Sequence, residues 1–192
     1  MAMSFPKSSR PVASARELGV HLLENNTANF GRLRVVGATM WTDYELFGDR
    51  LREPAMRAAY DTMRDHKRIK WQREPWKRFR PQEARRLHLQ SRAYLEAELS
   101  KLHDDGPTLV ITLHPGTIEA IAPALQRSLG SAAYASELLP IADRHQPDFW
   151  LSGHTHVSMN FRRGRTRLIS NPCGYADENR YFDPLYTIEI DA

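Results

Sequence analysis

Thr108-Leu109-Val110-Ile111-Thr112-Leu113-His114-Pro115-Gly116 is the stretch from which the fold is read. Its first six residues are apolar or β-branched and do not alternate with polar ones. That is the pattern of a strand covered on both faces, as in a parallel sheet. The strand ends at His114-Pro115-Gly116, where a loop begins. Upstream, Asp104-Asp105-Gly106-Pro107 stops a long helix opened by Pro81, whose residues Ala84, Leu87, Tyr94, Leu95, Leu99 and Leu102 form an apolar stripe.

Further out, Leu33–Trp41 predicts a buried strand that leaves its sheet at Gly37 or soon after, and Leu51–Arg64 predicts a helix with Pro54 in its first turn. A short helix is expected over Arg16–Leu23, a loop over Arg68–Arg80, and helices over Ile118–Leu129 and Ser136–His145, the last capped by Ser136. Asp148–Leu151 reads as a short strand. Val157–Phe161 and Thr166–Ser170 flank Arg162–Arg165 as a hairpin, and Tyr186–Ile190 supplies a last strand. Strands alternating with helices predict an α/β architecture, with the sheet inside and helices outside.

A length of 192 residues suits one domain, with residues 1–15 a flexible Ser/Pro/Ala-rich terminus and 16–192 the folded part. The lone Cys173 excludes an intrachain disulfide and a cysteine-based zinc knuckle, and fits a cytoplasmic protein. No apolar leader region and no run of about 18 apolar residues occurs, so neither secretion nor a membrane partner is expected.

The net charge of +4 is unevenly spread. Residues 64–86 hold ten Lys/Arg against three acids, a local +7, so the remainder, seventeen bases against twenty acids, carries −3. With Trp71, Trp76 and Phe79 interleaved, this segment could contact phosphate backbones or stacked bases, but the preferred reading is a solvated rim beside an anionic pocket. Arg78 and Arg80 are its candidate substrate contacts.

Chemistry-bearing residues fall at two strand ends. His114 follows one buried run, and Ser152-Gly153-His154-Thr155-His156 follows another. Carboxyl ends of strands in open α/β sheets form the crevice where ligands bind. His154 and His156 would point apart in an extended strand, but Gly153 allows a bend. Three imidazoles there suit Zn²⁺, Mn²⁺ or Fe ions. Asp43, at the end of the Leu33–Trp41 run, is a candidate pocket residue. His21, His66, His88, His103 and His145 are given ordinary packing or surface roles.

An ordered set of short motifs adds to this reading. It comprises Gly-Ala-Thr-Met-Trp-Thr-Asp (37–43), Leu46-Phe47-Gly48, Arg78-Phe79, Leu87-His88 with Ser91, Ile111-Thr112-Leu113-His114, Tyr134-Ala135-Ser136, Pro147-Asp148-Phe149-Trp150, Ser152–His156, Asn171–Tyr175 and Phe182-Asp183-Pro184. On these the chain resembles the small bacterial branch of the calcineurin-like metallophosphoesterases over roughly residues 17–190. The resemblance implies two mixed β-sheets flanked by helices, and a binuclear Mn, Fe or Zn centre that hydrolyses phosphate mono- or diesters of small molecules. It implies His114 and His154 as ligands of one ion, His156 as a ligand of the other, and Asn171 and Tyr175 as pocket residues, although Asn171-Pro172 and Gly174 also read as a plain turn.

The chain departs from that pattern in two places. Thr112-Leu113-His114-Pro115-Gly116 stands where the family has Thr-His-His-Ala-Pro, and the family's Asp-X-His, Gly-Asp and Gly-Asn-His-Glu blocks have no counterpart. The resemblance is therefore to the C-terminal portion of such a domain, N-terminally incomplete, and no catalytic residue is named. The expectation is a hydrolase fold that is incomplete or inactive as this chain. An inactive metal-binding or interaction domain, and a phosphate or nucleic-acid binding module at residues 64–86, stand as alternatives. A missing sheet would leave an exposed parallel edge near Val110 and Ile111, favouring a homodimer or a covering partner.

Overall fold

The computed structural model describes residues 14, 15 and 17–191. All but the last two residues of the expected flexible terminus lie outside them. Six strands form one mixed sheet: β1 (Asn26–Phe30), β2 (Leu33–Ala38), β5 (Thr108–Thr112), β6 (Phe149–Ser152), β7 (Met159–Arg163) and β8 (Thr166–Ser170). Their spatial order is β1-β2-β5-β6-β8-β7. The inner pairs β2/β5, β5/β6 and β6/β8 are parallel, and the two outer pairs are antiparallel. A two-stranded ribbon, β3 (Lys70–Gln72) with β4 (Lys77–Arg78), stands apart. Helices bounded within the described residues are α1 (Arg52–Thr62), α2 (Arg64–Arg68), α3 (Pro81–Leu99) and α4 (Leu139–His145). The α/β architecture with flanking helices is therefore observed. The expected pair of large mixed sheets is not seen among the described residues, where one large sheet and a small ribbon stand in its place.

One face of the sheet makes the main core. Val36, Ala38, Val110, Trp150 and Leu168 pack against Leu95 and Leu99 of α3 and Leu139, Ile141 and Ala142 of α4. Polar groups on this face are paired, as burial demands. The Trp150 indole donates to Thr112 Oγ1 at 3.1 Å. Buried Arg34 donates through Nη1 to the carbonyls of Glu98 (3.4 Å) and Lys101 (3.0 Å), satisfying acceptors that the end of α3 leaves over. At its other end Pro81 opens α3, and the Arg80 N–H donates to the Glu83 carboxylate at 2.9 Å. A second core lies beside the sheet, where α1 packs against the 3-10 turn Leu129–Ala133 and buries Tyr44, Met56, Phe79 and Leu87.

The opposite face is more thinly covered, which corrects the reading of β5 as enclosed on both sides: Ile111 is 39% exposed. Leu23 lies so close over Gly37 that a Cβ there would sit 2.4 Å from the Leu23 Cβ. Tyr186 reaches Asn160 and Arg167 from the C-terminal segment.

The parallel strands are not an open edge, because β1 pairs with β2 through a two-residue turn at Gly31 (φ +58°) and Arg32. Residues 20–23 are not helical, since the turn at Leu18-Gly19 ends with Gly19 at φ +69°. The expected helix at 118–129 is a series of 3-10 turns broken at Pro123. Tyr186–Ile190 joins no ladder. Ser136 does not cap α4, which starts at Leu139, because its hydroxyl is committed to Asp43. His66, expected among surface charges, is 1% exposed and contacts Tyr44 Oη and the Phe79 carbonyl. No helix among the described residues is long and apolar enough to cross a membrane.

Candidate functional site

The carboxyl ends of β2, β5 and β6 open into adjacent loops, tied together by Gly153 N–H donating to the Leu113 carbonyl at 3.1 Å. Two imidazoles meet there. His114 and His154 have ring centroids 4.2 Å apart, and Tyr134 lies 5.6 Å from His154. The Nε2 atoms of both histidines are buried and have no hydrogen-bond partner.

The state of His114 follows from its neighbours. Its Nδ1 lies 3.2 Å from the Thr39 carbonyl, an acceptor only, so Nδ1 carries the hydrogen and Nε2 holds a lone pair. Burial, with the neighbouring His154 adding to it, pushes its pKa down to about 3. Burial also lowers His154, opposed by Asp65. Both rings are thus neutral around pH 7, and the His114 Nε2 is a free donor atom for a cation, a proton or a hydroxyl.

His88 and Asp43 form a second buried pair nearby. His88 Nδ1 lies 3.1 Å from the Met40 carbonyl and 3.3 Å from that of Trp41, and its Nε2 is 3.4 Å from Asp43 Oδ2. Asp43 Oδ1 accepts from Ser136 Oγ at 2.9 Å and from the Glu45 N–H at 3.0 Å. Burial lowers the His88 pKa, against the opposing pull of Asp43. Asp43 therefore anchors the loop after β2 to Ser136, with His88 beside it. His88 and Ser91 fall in the Ala84/Leu87/Leu95 register of α3, and that register was the sequence signal for their burial.

His156 is held elsewhere. Its Nδ1 is 2.6 Å from Glu178 and its ring meets Tyr175 edge-on at 5.0 Å. Gly153 does let the segment bend, with His154 at φ +70° and His156 at φ +54°, but the bend delivers one imidazole to His114 and the other to Glu178. Tyr175 is 75% exposed. Asn171 exchanges hydrogen bonds with the Asp183 backbone and so fastens the C-terminal segment. Arg78 lies over Trp76 in the ribbon, and Arg80 lies over Tyr60 beside a groove of about 310 Å³ between α1 and the start of α3. That groove is lined by other residues than the histidines. Ring contacts nevertheless connect ribbon and histidines: His114 to Trp41 (5.3 Å), Trp41 to Phe79 (4.5 Å), and Phe79 to Trp71 (5.9 Å).

The described residues do not complete a metal site. His114 and His154 offer two imidazole nitrogens, and among the described residues no group of three or more His, Cys, Asp or Glu is placed to hold an ion. Two neutral donors suit one divalent ion that takes its remaining ligands from solvent or substrate. They do not make the two-ion centre.

No family model matches the chain, and no curated protein matches it. Among solved structures it is similar to the phosphopantetheinyl hydrolase (PptH) from Mycobacterium tuberculosis, with a TM-score of 0.61 and 17% identity, over 94% of this chain and 69% of that one. At that identity the likeness is one of fold. The resemblance to the calcineurin-like metallophosphoesterases is corrected by these findings. No model of that family matches, the similar structure carries another description, and the described residues supply neither the second large sheet nor a three-ligand metal cluster.

Proposed function

We propose that the chain belongs to a hydrolase of phosphate esters, with the His114–His154 pair at its reacting centre. The observation that carries this reading is the pair of buried, unpartnered Nε2 atoms at the carboxyl ends of parallel strands, where α/β sheets place their ligands. Likeness of fold to a protein described as a hydrolase supports the reaction class.

A Zn²⁺, Mn²⁺ or Fe ion bound to the pair would act as a Lewis acid toward a phosphoryl oxygen. The chain's own contribution is to keep both rings neutral by burial, to fix the His114 tautomer through Thr39, and to hold the two loops in register through Gly153 and Leu113.

The test uses the purified full chain. Bound Mn, Fe and Zn are quantified, histidine resonances are followed during metal titration, and a generic phosphodiester is assayed with and without metal. The expected result is metal-dependent shifts of His114 and His154, with binding and turnover both lost in His114→Ala and His154→Ala. Unchanged metal binding in both variants would refute the site. Metal bound by the pair with no turnover in the parent chain would select a second reading, a metal-binding domain without activity.

A further inference from the structure

The charge excess of residues 64–86 is left unexplained by the histidine pair. Eight of its ten bases, Arg64, Lys67, Arg68, Lys70, Arg73, Lys77, Arg78 and Arg80, are exposed. None of these eight has a carboxylate within salt-bridge distance among the described residues, whereas Arg85 is paired with Glu45. Of the three acids in the segment, Glu83 already accepts from the Arg80 backbone N–H. Here a net positive field, ten bases against three acids, runs across α2, the ribbon and the start of α3.

The ribbon adds an aromatic platform. Trp76, in the turn between β3 and β4, is 54% exposed, with the Arg78 guanidinium 5.4 Å from its ring. Arg80 stacks over partly exposed Tyr60 at 5.9 Å. Beneath, the ribbon is anchored: Phe79 is fully buried, and Arg86 of α3 lies 4.8 Å over Trp71. An exposed indole on an anchored ribbon, with the Arg78 guanidinium against it and further bases without ion pairs on the same segment, combines the two elements that bind unpaired bases, a stacking face and phosphate contacts. In a duplex the base faces are covered by their neighbours, so this platform selects a single strand.

We propose that the β3–β4 ribbon with the flanking ends of α2 and α3 is a binding site for single-stranded nucleic acid, independent of the histidine pair. The probe is a fluorescein-labelled oligothymidylate, titrated with the full chain in chelator and followed by fluorescence anisotropy over a series of salt concentrations. Trp76→Ala should weaken binding about 5- to 150-fold, the range for loss of one stacked base, and leave the thermal melt unchanged because the ring is exposed. Arg78→Gln should weaken binding and lower the slope of log affinity against log salt by about 0.7, the value for one phosphate contact on a single strand. His114→Ala should bind as the parent does, so loss of the hydrolase reading would leave this one standing. No binding at low salt, equal affinity of the parent and Trp76→Ala, or preference for a duplex of the same length would each overturn it.

Discussion

Acid should destabilise the metal-free chain through its buried imidazoles, and His114 provides the measure. Its pKa is pushed from the ordinary value of 6.5 down to about 3, first by burial and then by His154. The unfolded chain takes up this proton near 6.5 and the folded chain only near 3. Across that window the unfolded state binds the extra proton, so stability falls as pH falls, by ~1.4 kcal/mol per pH unit for each such group. Above the unfolded value the contribution is flat. Between about pH 7 and about pH 5, His114 alone should remove about 2 kcal/mol, roughly 4–8 °C in Tm for a chain of this size. His66, His88 and His154 are lowered in the same direction by burial and steepen the response. The informative variant is His114→Asn, whose side-chain amide can still donate to the Thr39 carbonyl but does not titrate. Urea denaturation in chelator, read by tryptophan fluorescence, should show a less stable variant near neutrality that loses about 2 kcal/mol less than the parent between about pH 7 and about pH 5. An identical loss in variant and parent would refute the claim that this ring is buried neutral.

Other outcomes test the packing and the site. Trp150→Phe should cost about 1–3 kcal/mol in chemical denaturation, because it removes the indole bond and strands the buried Thr112 hydroxyl, and stability equal to the parent would contradict it. Gly106→Ala would place a Cβ 2.5 Å from the Arg32 carbonyl oxygen, so a backbone shift costing about 1–3 kcal/mol is expected, and an unchanged melting temperature would show that the turn yields freely. His156→Ala should reduce metal affinity less than His154→Ala in titration calorimetry, because the structure sets His156 on Glu178, and equal losses would bring His156 into the pair.

The parts of the fold legible in the sequence are those whose local pattern and final environment agree. β2 and β5 are apolar runs because both lie inside the sheet with one face on the main core, and α3 begins at Pro81 and carries a stripe that meets that face. Where tertiary partners decide, the reading failed. β1 is Asn-Thr-Ala-Asn-Phe, a poor strand former, and exists because the Gly31 turn lays it against β2. Ser136 has the residue type of a helix cap, but a carboxylate distant in sequence takes its hydroxyl. The ribbon strands are too short to show a period. Of the histidines, His114 and His154 were legible from their places after strands. Their separation from His156 was not, because it depends on Glu178 and on two positive φ angles in one loop.

Backbone carbonyls account for the chemistry of the site more than the imidazoles do. The loop after β2 runs through positive φ at Met40 (+78°), Trp41 (+40°) and Tyr44 (+64°), conformations costing of order 1–3 kcal/mol each that persist only where surroundings over-determine them. Thr39, Met40 and Trp41 thereby present successive carbonyls inward, and all three face the Nδ1 atoms of two histidines, His114 and His88. Carbonyls only accept, so each ring must hold its hydrogen on Nδ1 and, when neutral, expose a lone pair at Nε2. In His114 that lone pair has no partner, and in His88 it confronts the Asp43 carboxylate, an arrangement relieved by a proton or a cation. The strained loop thus fixes the tautomers of both rings. Its own side chains at 39–41 touch none of that chemistry through polar atoms, and for this reason a reading by residue type located the histidines while missing what sets their state.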